Sequence, residues 1–225
     1  MLLLLDAGGT LIRPAEPVGD VYDRHLQSCG LTSSSAALEA AFSRSLAAAP
    51  PPDYPAHPSG HDAEFAWWRG VVRAAFRSLG GPEAAFAASP DFDAYFALLF
   101  THYADPAAWT LFPDVRPFLE SAAARRARLA VLSNFDDRLA PILDGLGVGS
   151  FFDLVLTSAN ARARKPEKRI FHFALEHLGA SPAETTYAGD SHHADVLGAQ
   201  AAGIRPFHLQ RPATTLSDFL DFSLP

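Results

Sequence analysis

Met1-Leu2-Leu3-Leu4-Leu5-Asp6-Ala7-Gly8-Gly9-Thr10 opens the chain with an apolar run that stops at a carboxylate and two glycines. The run is too short for the apolar region of a signal peptide and lacks a basic segment before it, so it is predicted as a strand. No partner strand follows nearby. Beyond Pro106, short apolar runs alternate with helical patterns: strands at 128–132, 152–156, 185–189 and 204–209, with helices at 114–126, 136–146, 167–178 and 193–202. Strands apolar throughout, set between helices, indicate a parallel sheet covered on both faces. The first strand is therefore expected to join that later sheet, giving an α/β fold with a discontinuous core, residues 1–14 and 106–225.

Residues 15–105 read as nearly all helix, inserted between the first and second core strands. Val18, Val21, Tyr22, Leu26 and Cys29 share one helical face, and Leu38, Phe42 and Leu46 another. Five prolines between Pro50 and Pro58 mark a loop. Phe65, Trp68, Val72, Phe76 and Leu79 line a third helix ended by Gly80-Gly81, and Phe92, Tyr95, Phe96, Leu99 and Tyr103 a fourth. Cys29, the single cysteine, is expected to be a buried thiol. Trp67 and Trp68 cannot face one core together, so one of them is expected at a surface or an interface.

The 225 residues are 48% hydrophobic and 19% charged, enough to bury a substantial core. A net charge of −7 repels polyanions, which argues against nucleic acid or an anionic membrane as partner. No apolar run approaches the ~20 residues of a membrane-spanning helix. With one cysteine, the chain fits a reducing, cytoplasmic compartment. Oligomeric state is not encoded in any recognisable pattern.

Ligands of open α/β sheets bind beyond the carboxyl ends of the strands. Those ends carry Asp6 to Thr10, Ser133-Asn134, Lys165-Pro166, and Gly189-Asp190 with Asp195 close behind. Glycines 8 and 9 let backbone N–H groups approach an anion. Taken singly, Asp6 reads as a turn cap, Ser133 as a helix N-cap, and Lys165 as part of a solvated basic loop. Taken together, carboxylates crowded at one mouth require a cation, and hard oxygen ligands suit Mg2+. His192-His193 read as helix-start surface residues, and His57, His61 and Asp62 as loop residues.

In their order along the chain, the Asp6 to Thr10 loop, Ser133, Lys165, and Gly189-Asp190 through Asp195 resemble the haloacid-dehalogenase-like (HAD) hydrolase superfamily. Trp67-Trp68, Ser133-Asn134-Phe135-Asp136 and Phe152 to Ser158 resemble one of its subgroups, the haloacid-dehalogenase-like hydrolase domain-containing protein 3 group. The resemblance implies a Rossmann-like core with a helical, C1-type cap over residues 15–105. It further implies a Mg2+-dependent phosphatase acting on a small phosphorylated metabolite. Asp6 would be the nucleophile, forming an aspartyl-phosphate. Ser133 and Lys165 would hold the transferring group, with Asn134 and Gly9 lining the substrate site, and Thr10 would orient the nucleophile loop. Mg2+ would be held by Asp6, the Gly8 carbonyl and Asp190, with Asp195 as a further ligand or as support behind the ligands.

Gly8 departs from the family pattern. Phosphatases of the superfamily carry there a second Asp that protonates the leaving oxygen, an assistance worth ~10²–10⁴-fold. Asp23, His25 or another residue of the helical block would have to replace it. Two relatives without that Asp bear comparison. Phosphonoacetaldehyde hydrolases need a cap lysine, and the only lysines here are Lys165 and Lys168. Haloacid dehalogenases need an Arg near the halide, for which Arg13, Arg24 and Arg44 are candidates, but no metal. A third expectation is a non-catalytic protein that keeps only Mg2+ and phosphate binding.

Overall fold

Leu2–Leu5 forms β1, and all four leucines are buried because neighbouring strands and helices cover both faces of the sheet. The computed structural model describes residues 1–224. After β1 come β2 (Ile12–Pro14), α1 (Val18–Gln27), α2 (Ser35–Ala48), α3 (Gly60–Leu79), α4 (Gly81–Ala88) and α5 (Asp91–His102). The chain continues through β3 (Trp109–Leu111), α6 (Val115–Ala124), β4 (Arg128–Ser133), α7 (Leu139–Gly145), β5 (Leu154–Thr157), α8 (Ser158–Ala161) and α9 (Lys168–Leu178). It ends with β6 (Thr185–Gly189), a π-helical turn at His192–Leu197, α10 (Gly198–Ala201), β7 (Arg205–His208) and α11 (Leu216–Ser223).

Five strands form one parallel sheet in the order β5-β4-β1-β6-β7, so the first strand lies at its centre. β1 pairs with β4 on one side and β6 on the other, Leu5 lying opposite both Val131 and Ala188. The order reverses direction at β1, the switch point where open α/β sheets bind ligands. The side chains of Leu2 and Leu4 join Leu132, Leu156, Ile170, Phe171, Leu175 and Tyr187 in one core cluster, under α9 and α10. By strand alternation Leu3 and Leu5 serve the opposite face.

The chain divides into two compact units, residues 1–13 with 110–225, and residues 14–109. The second is helical and has its own core. Tyr22, Leu38, Val72, Phe76, Phe86, Phe92, Tyr95 and Phe96 are buried together. Phe76 packs edge-to-face against Phe92 and Tyr95, an arrangement that aligns ring edges with ring faces. No helix among the described residues is long and apolar enough to cross a membrane.

Some local expectations change. Cys29 is exposed, because α1 ends at Gln27 and the chain turns over Ser28 before the cysteine can rejoin the apolar face. Trp67 and Trp68 are both half-buried, stacked edge-to-face with centroids 4.8 Å apart. Trp67 donates its indole N–H to the Pro50 carbonyl, while Trp68 packs on the helical core.

Candidate active site

The strand register brings the site together. With Leu5 level with Val131 and Ala188, the residues that follow leave the sheet on the same edge: Asp6, Ser133 and Asp190. The Asp6 N–H still bonds to the Ala188 carbonyl at 2.9 Å, so this carboxylate stands on the last paired position of the central strand. After it the chain folds on itself, and the Ala7 carbonyl accepts from the N–H groups of Thr10, Leu11 and Ile12. Gly9 takes φ +78°, and a Cβ there would lie 2.4 Å from Asp190 Oδ2. No side chain fits between the loop and that carboxylate.

Asp6 Oδ1 accepts from Ser133 Oγ at 2.9 Å and faces Lys165 Nζ at 2.7 Å. Its Oδ2 receives no hydrogen bond from any described residue. Ser133 is not the N-cap expected of it. It is the last residue of β4, and α7 starts only at Leu139, because Asp136 binds the N–H and guanidinium of Arg138 and holds the intervening turn open. Lys165 is 3% exposed and is not part of a solvated basic loop; its ammonium also bonds Asp195 Oδ1 at 2.6 Å and Tyr187 Oη at 2.7 Å.

Asp195 sits in the π-helical turn with both oxygens committed. Oδ1 takes Lys165 and Tyr187, and Oδ2 takes the Ser191 N–H at 2.9 Å. Close approach to Gly189 makes this possible, since a Cβ at Gly189 would lie 2.3 Å from Asp195 Cγ. Asp190 is more exposed and accepts from Thr10 Oγ1 at 3.5 Å. One carboxylate oxygen from each of Asp6, Asp190 and Asp195 lies within 4.8 Å of the others.

The side-chain amide of Asn134 is engaged with protein. It donates to the Lys165 carbonyl at 3.0 Å and accepts from the Lys165 N–H at 2.8 Å, fixing the loop that carries the lysine. His192 and His193 are exposed, and His208 Nε2 lies 3.1 Å from the Asp190 carbonyl. In the helical unit, Asp23 accepts from Gln27 and the Ser33 N–H, Arg24 pairs with Glu16, and His25 packs against His102. Arg13 lies over the Phe112 ring, and Arg44 is exposed.

The charges explain the protonation behaviour. Burial raises the Asp6 carboxyl to about 6; Lys165 opposes this, while Asp195 and Asp190 add to it. Burial would lower the Lys165 ammonium, but Asp195 and Asp6 outweigh it and hold it above its usual range. Burial, then the Asp195 charge, also raises Asp190. Three carboxylates against one ammonium leave two negative charges uncompensated, which a divalent cation balances. Among the carbonyls of residues 7–12, only that of Gly8 receives no hydrogen bond from a described residue. Free oxygen donors and excess negative charge fit Mg2+, with Asp6, Gly8 and Asp190 as the residues that would hold it.

Two participants were not anticipated from the sequence. Tyr187 is wholly buried, and its hydroxyl touches Lys165, Asp195 and the Leu132 carbonyl. Its place in Thr185-Thr186-Tyr187, three residues before Asp190, puts the ring in the core and carries no sign of the hydroxyl's contacts. Arg211, three residues past the end of β7, bonds the loop carbonyls of Gly9 and Thr10. Its signal in the sequence is its position just past the end of the last core strand.

A family model described as haloacid dehalogenase-like hydrolase matches residues 1–203. Haloacid dehalogenase-like hydrolase domain-containing protein 3 from Bos taurus is 34% identical over 212 residues, 94% of this chain and 82% of that protein. The crystal structure of a HAD phosphatase from Thermococcus onnurineus aligns with TM-score 0.65 at 24% identity, covering 98% of this chain and 96% of that one. A dehalogenase structure aligns with TM-score 0.70 at 20% identity, over 98% and 96%. Phosphatase and dehalogenase thus share this fold, and the choice between them rests on the site.

Proposed function

The chain belongs to the haloacid dehalogenase-like hydrolases, and from that premise we propose that it is a Mg2+-dependent phosphohydrolase acting on a small phosphorylated metabolite, with Asp6 as nucleophile and residues 14–109 as its cap. One observation carries the reading: Asp6 has one oxygen held by Lys165 and Ser133 and the other bonded by no described residue, in a carboxylate cluster whose charge calls for a divalent cation.

In this mechanism the Asp6 carboxylate attacks phosphorus, the ester P–O bond breaks, and its electron pair leaves with the alcohol oxygen. The Lys165 ammonium and Ser133 hydroxyl, both already on Asp6, take up oxygens of the transferring group. Water then attacks the aspartyl-phosphate at phosphorus, releasing phosphate and restoring Asp6. Bound Mg2+ supplies charge neutralisation and polarises the phosphoryl group. Asn134 acts by holding the Lys165 backbone, Asp195 by holding the Lys165 ammonium, and Thr10 and Gly9 by shaping the loop against Asp190.

Gly8 sets the limit. It offers no acid to the leaving oxygen, so esters of acidic alcohols and acyl phosphates are the substrates that react well. The dehalogenase reading gains nothing from an acidic cluster with a free Gly8 carbonyl, which that chemistry does not use.

The test is a panel of phosphate esters graded by leaving-group acidity, plus an acyl phosphate, run with and without Mg2+ on wild type and Asp6→Asn. Mg2+-dependent turnover lost in Asp6→Asn supports the proposal. Chloride released from a 2-haloacid without metal, or phosphate bound with no turnover of any ester, replaces it with the dehalogenase or the binding protein.

A further inference from the structure

We propose that Arg211 is a positioning residue for the nucleophile loop, locking it in the shape that leaves the Gly8 carbonyl open to the cation; the inference rests on the reading of Asp6 and the metal given above. Arg211 Nη1 donates to the Gly9 carbonyl at 3.2 Å and Nη2 to the Thr10 carbonyl at 2.9 Å. The same guanidinium pairs with Asp114 at 2.9 and 3.1 Å and lies over the Phe112 ring, 4.1 Å from its centroid. Asp114 in turn accepts the N–H of Leu216, the first residue of α11.

The carbonyl inventory gives this cluster its meaning. In the loop after Asp6, the Ala7 oxygen serves three N–H groups, Ile12 accepts from Gly9, and Leu11 accepts from Phe112. Among the described residues, Gly9 and Thr10 are satisfied only by Arg211, and Gly8 by none. Without the guanidinium, two consecutive carbonyls beside Gly8 lose their donors. Nothing then distinguishes the Gly8 oxygen as the one to turn toward the metal, and a Gly8-Gly9 pair has the backbone freedom to rearrange.

A guanidinium is suited to this task. Its planar fork reaches adjacent carbonyls at once, stays charged at all relevant pH, and stacks on an aromatic face, whereas a lysine offers a single point of donation. Arg211 also lies outside residues 1–203, the span that matches the family model.

Mg2+ binding measured by isothermal titration calorimetry, without substrate, is the primary test, on wild type, Arg211→Ala and Arg211→Lys. Loss of a group that orients a metal ligand typically weakens binding by about 10–100-fold. Arg211→Ala is expected in that range, with kcat reduced in parallel and KM for the ester little changed. Arg211→Lys is expected to recover only part of the loss, and millimolar methylguanidinium to restore Mg2+ affinity to Arg211→Ala. If Arg211→Ala does not fold, the comparison is made on Arg211→Lys. Mg2+ affinity within twofold of wild type in the folded variant overturns the proposal, as does a loss that methylguanidinium leaves untouched. Asp6→Asn, assayed in parallel, separates the two readings. Turnover surviving in Asp6→Asn refutes the nucleophile assignment; Asp6→Asn inactive with Arg211 variants at wild-type affinity refutes the clamp alone.

Discussion

At the scale of single residues, Gly8 is the most informative position. A Cβ built there meets no atom within 4 Å, so the first side-chain atom of Gly8→Asp displaces no neighbour. If the missing acid limits the rate, Gly8→Asp should raise turnover of alkyl phosphates by up to ~10²–10⁴-fold and change aryl phosphates far less. Steady-state kinetics across the two classes check this, and an unchanged ratio between them means that another group already supplies the proton. Tyr187→Phe probes a different kind of residue. It removes a hydroxyl from a buried contact with Lys165, Asp195 and the Leu132 carbonyl. A loss of about 1–3 kcal/mol in urea unfolding is expected; a change under about 0.5 kcal/mol would mean the ammonium and carboxylate satisfy each other without it. Asp6, Ser133 and Asp190 are legible as positions because each stands at or just beyond a strand end, and Lys165 because it lies in the loop that follows β5 and the single turn of α8. Tyr187 could not be, since its ring packs in the core and only its hydroxyl belongs to the site. Asn134 was legible as a position, yet its engagement with the Lys165 backbone depends on how two loops meet.

At the scale of elements, the strands are readable because burial on both faces makes them largely apolar: the run 185–189 coincides with β6, and 128–132 ends one residue before β4 does. Helix 136–146 is shorter than its apolar spacing predicts, because the Asp136 side chain takes up the Arg138 N–H and delays the helix to Leu139, a local side-chain-to-backbone contact that leaves no trace in the periodicity. Helix 193–202 resolves into a π-helical turn and α10, and the wider turn is what carries Asp195 inward. In the helical unit, His25 on α1 meets His102 at the end of α5, ring centroids 5.4 Å apart. Burial lowers both, and each is lowered further by a nearby cation, Arg24 for His102 and His102 then Arg24 for His25. The unfolded chain therefore binds more protons than the folded one as pH falls below the ordinary histidine range. The contribution of these two histidines to stability is full above about pH 6.5, the unperturbed value, and falls as pH descends from there toward the lowered folded values. The Asp6 carboxyl, raised to about 6, has the opposite sign and adds stability as pH falls over the same interval. The histidine effect is therefore read as a difference: between pH 7.5 and pH 5.5 the thermal midpoint of His25→Gln with His102→Gln should fall less, or rise more, than that of wild type. An identical pH slope in the double variant would assign the effect elsewhere.

At the scale of the whole molecule, the site and the stability of the protein act against each other through Asp190. This carboxylate is raised by burial and by Asp195, so holding it ionised in the metal-free protein costs stability. Asp190→Asn removes that charge from a cluster that already contains Asp6 and Asp195. In EDTA the variant should unfold at a higher temperature than wild type, because the repulsion has been relieved. Adding Mg2+ should reverse the order. A ligand that binds only the folded state stabilises it by about 2.7 kcal/mol when present at 100 times its Kd, and wild type alone should gain this, since Asp190→Asn lacks one of the oxygens that would hold the ion. The crossing of the two melting curves on metal addition is the signature, read by differential scanning calorimetry at fixed pH with matched ionic strength. A variant that melts below wild type in EDTA would show that Asp190 contributes to the fold by its hydrogen bond from Thr10. A variant that keeps the full Mg2+ shift would place the cation away from Asp190, and with it the reaction proposed for Asp6.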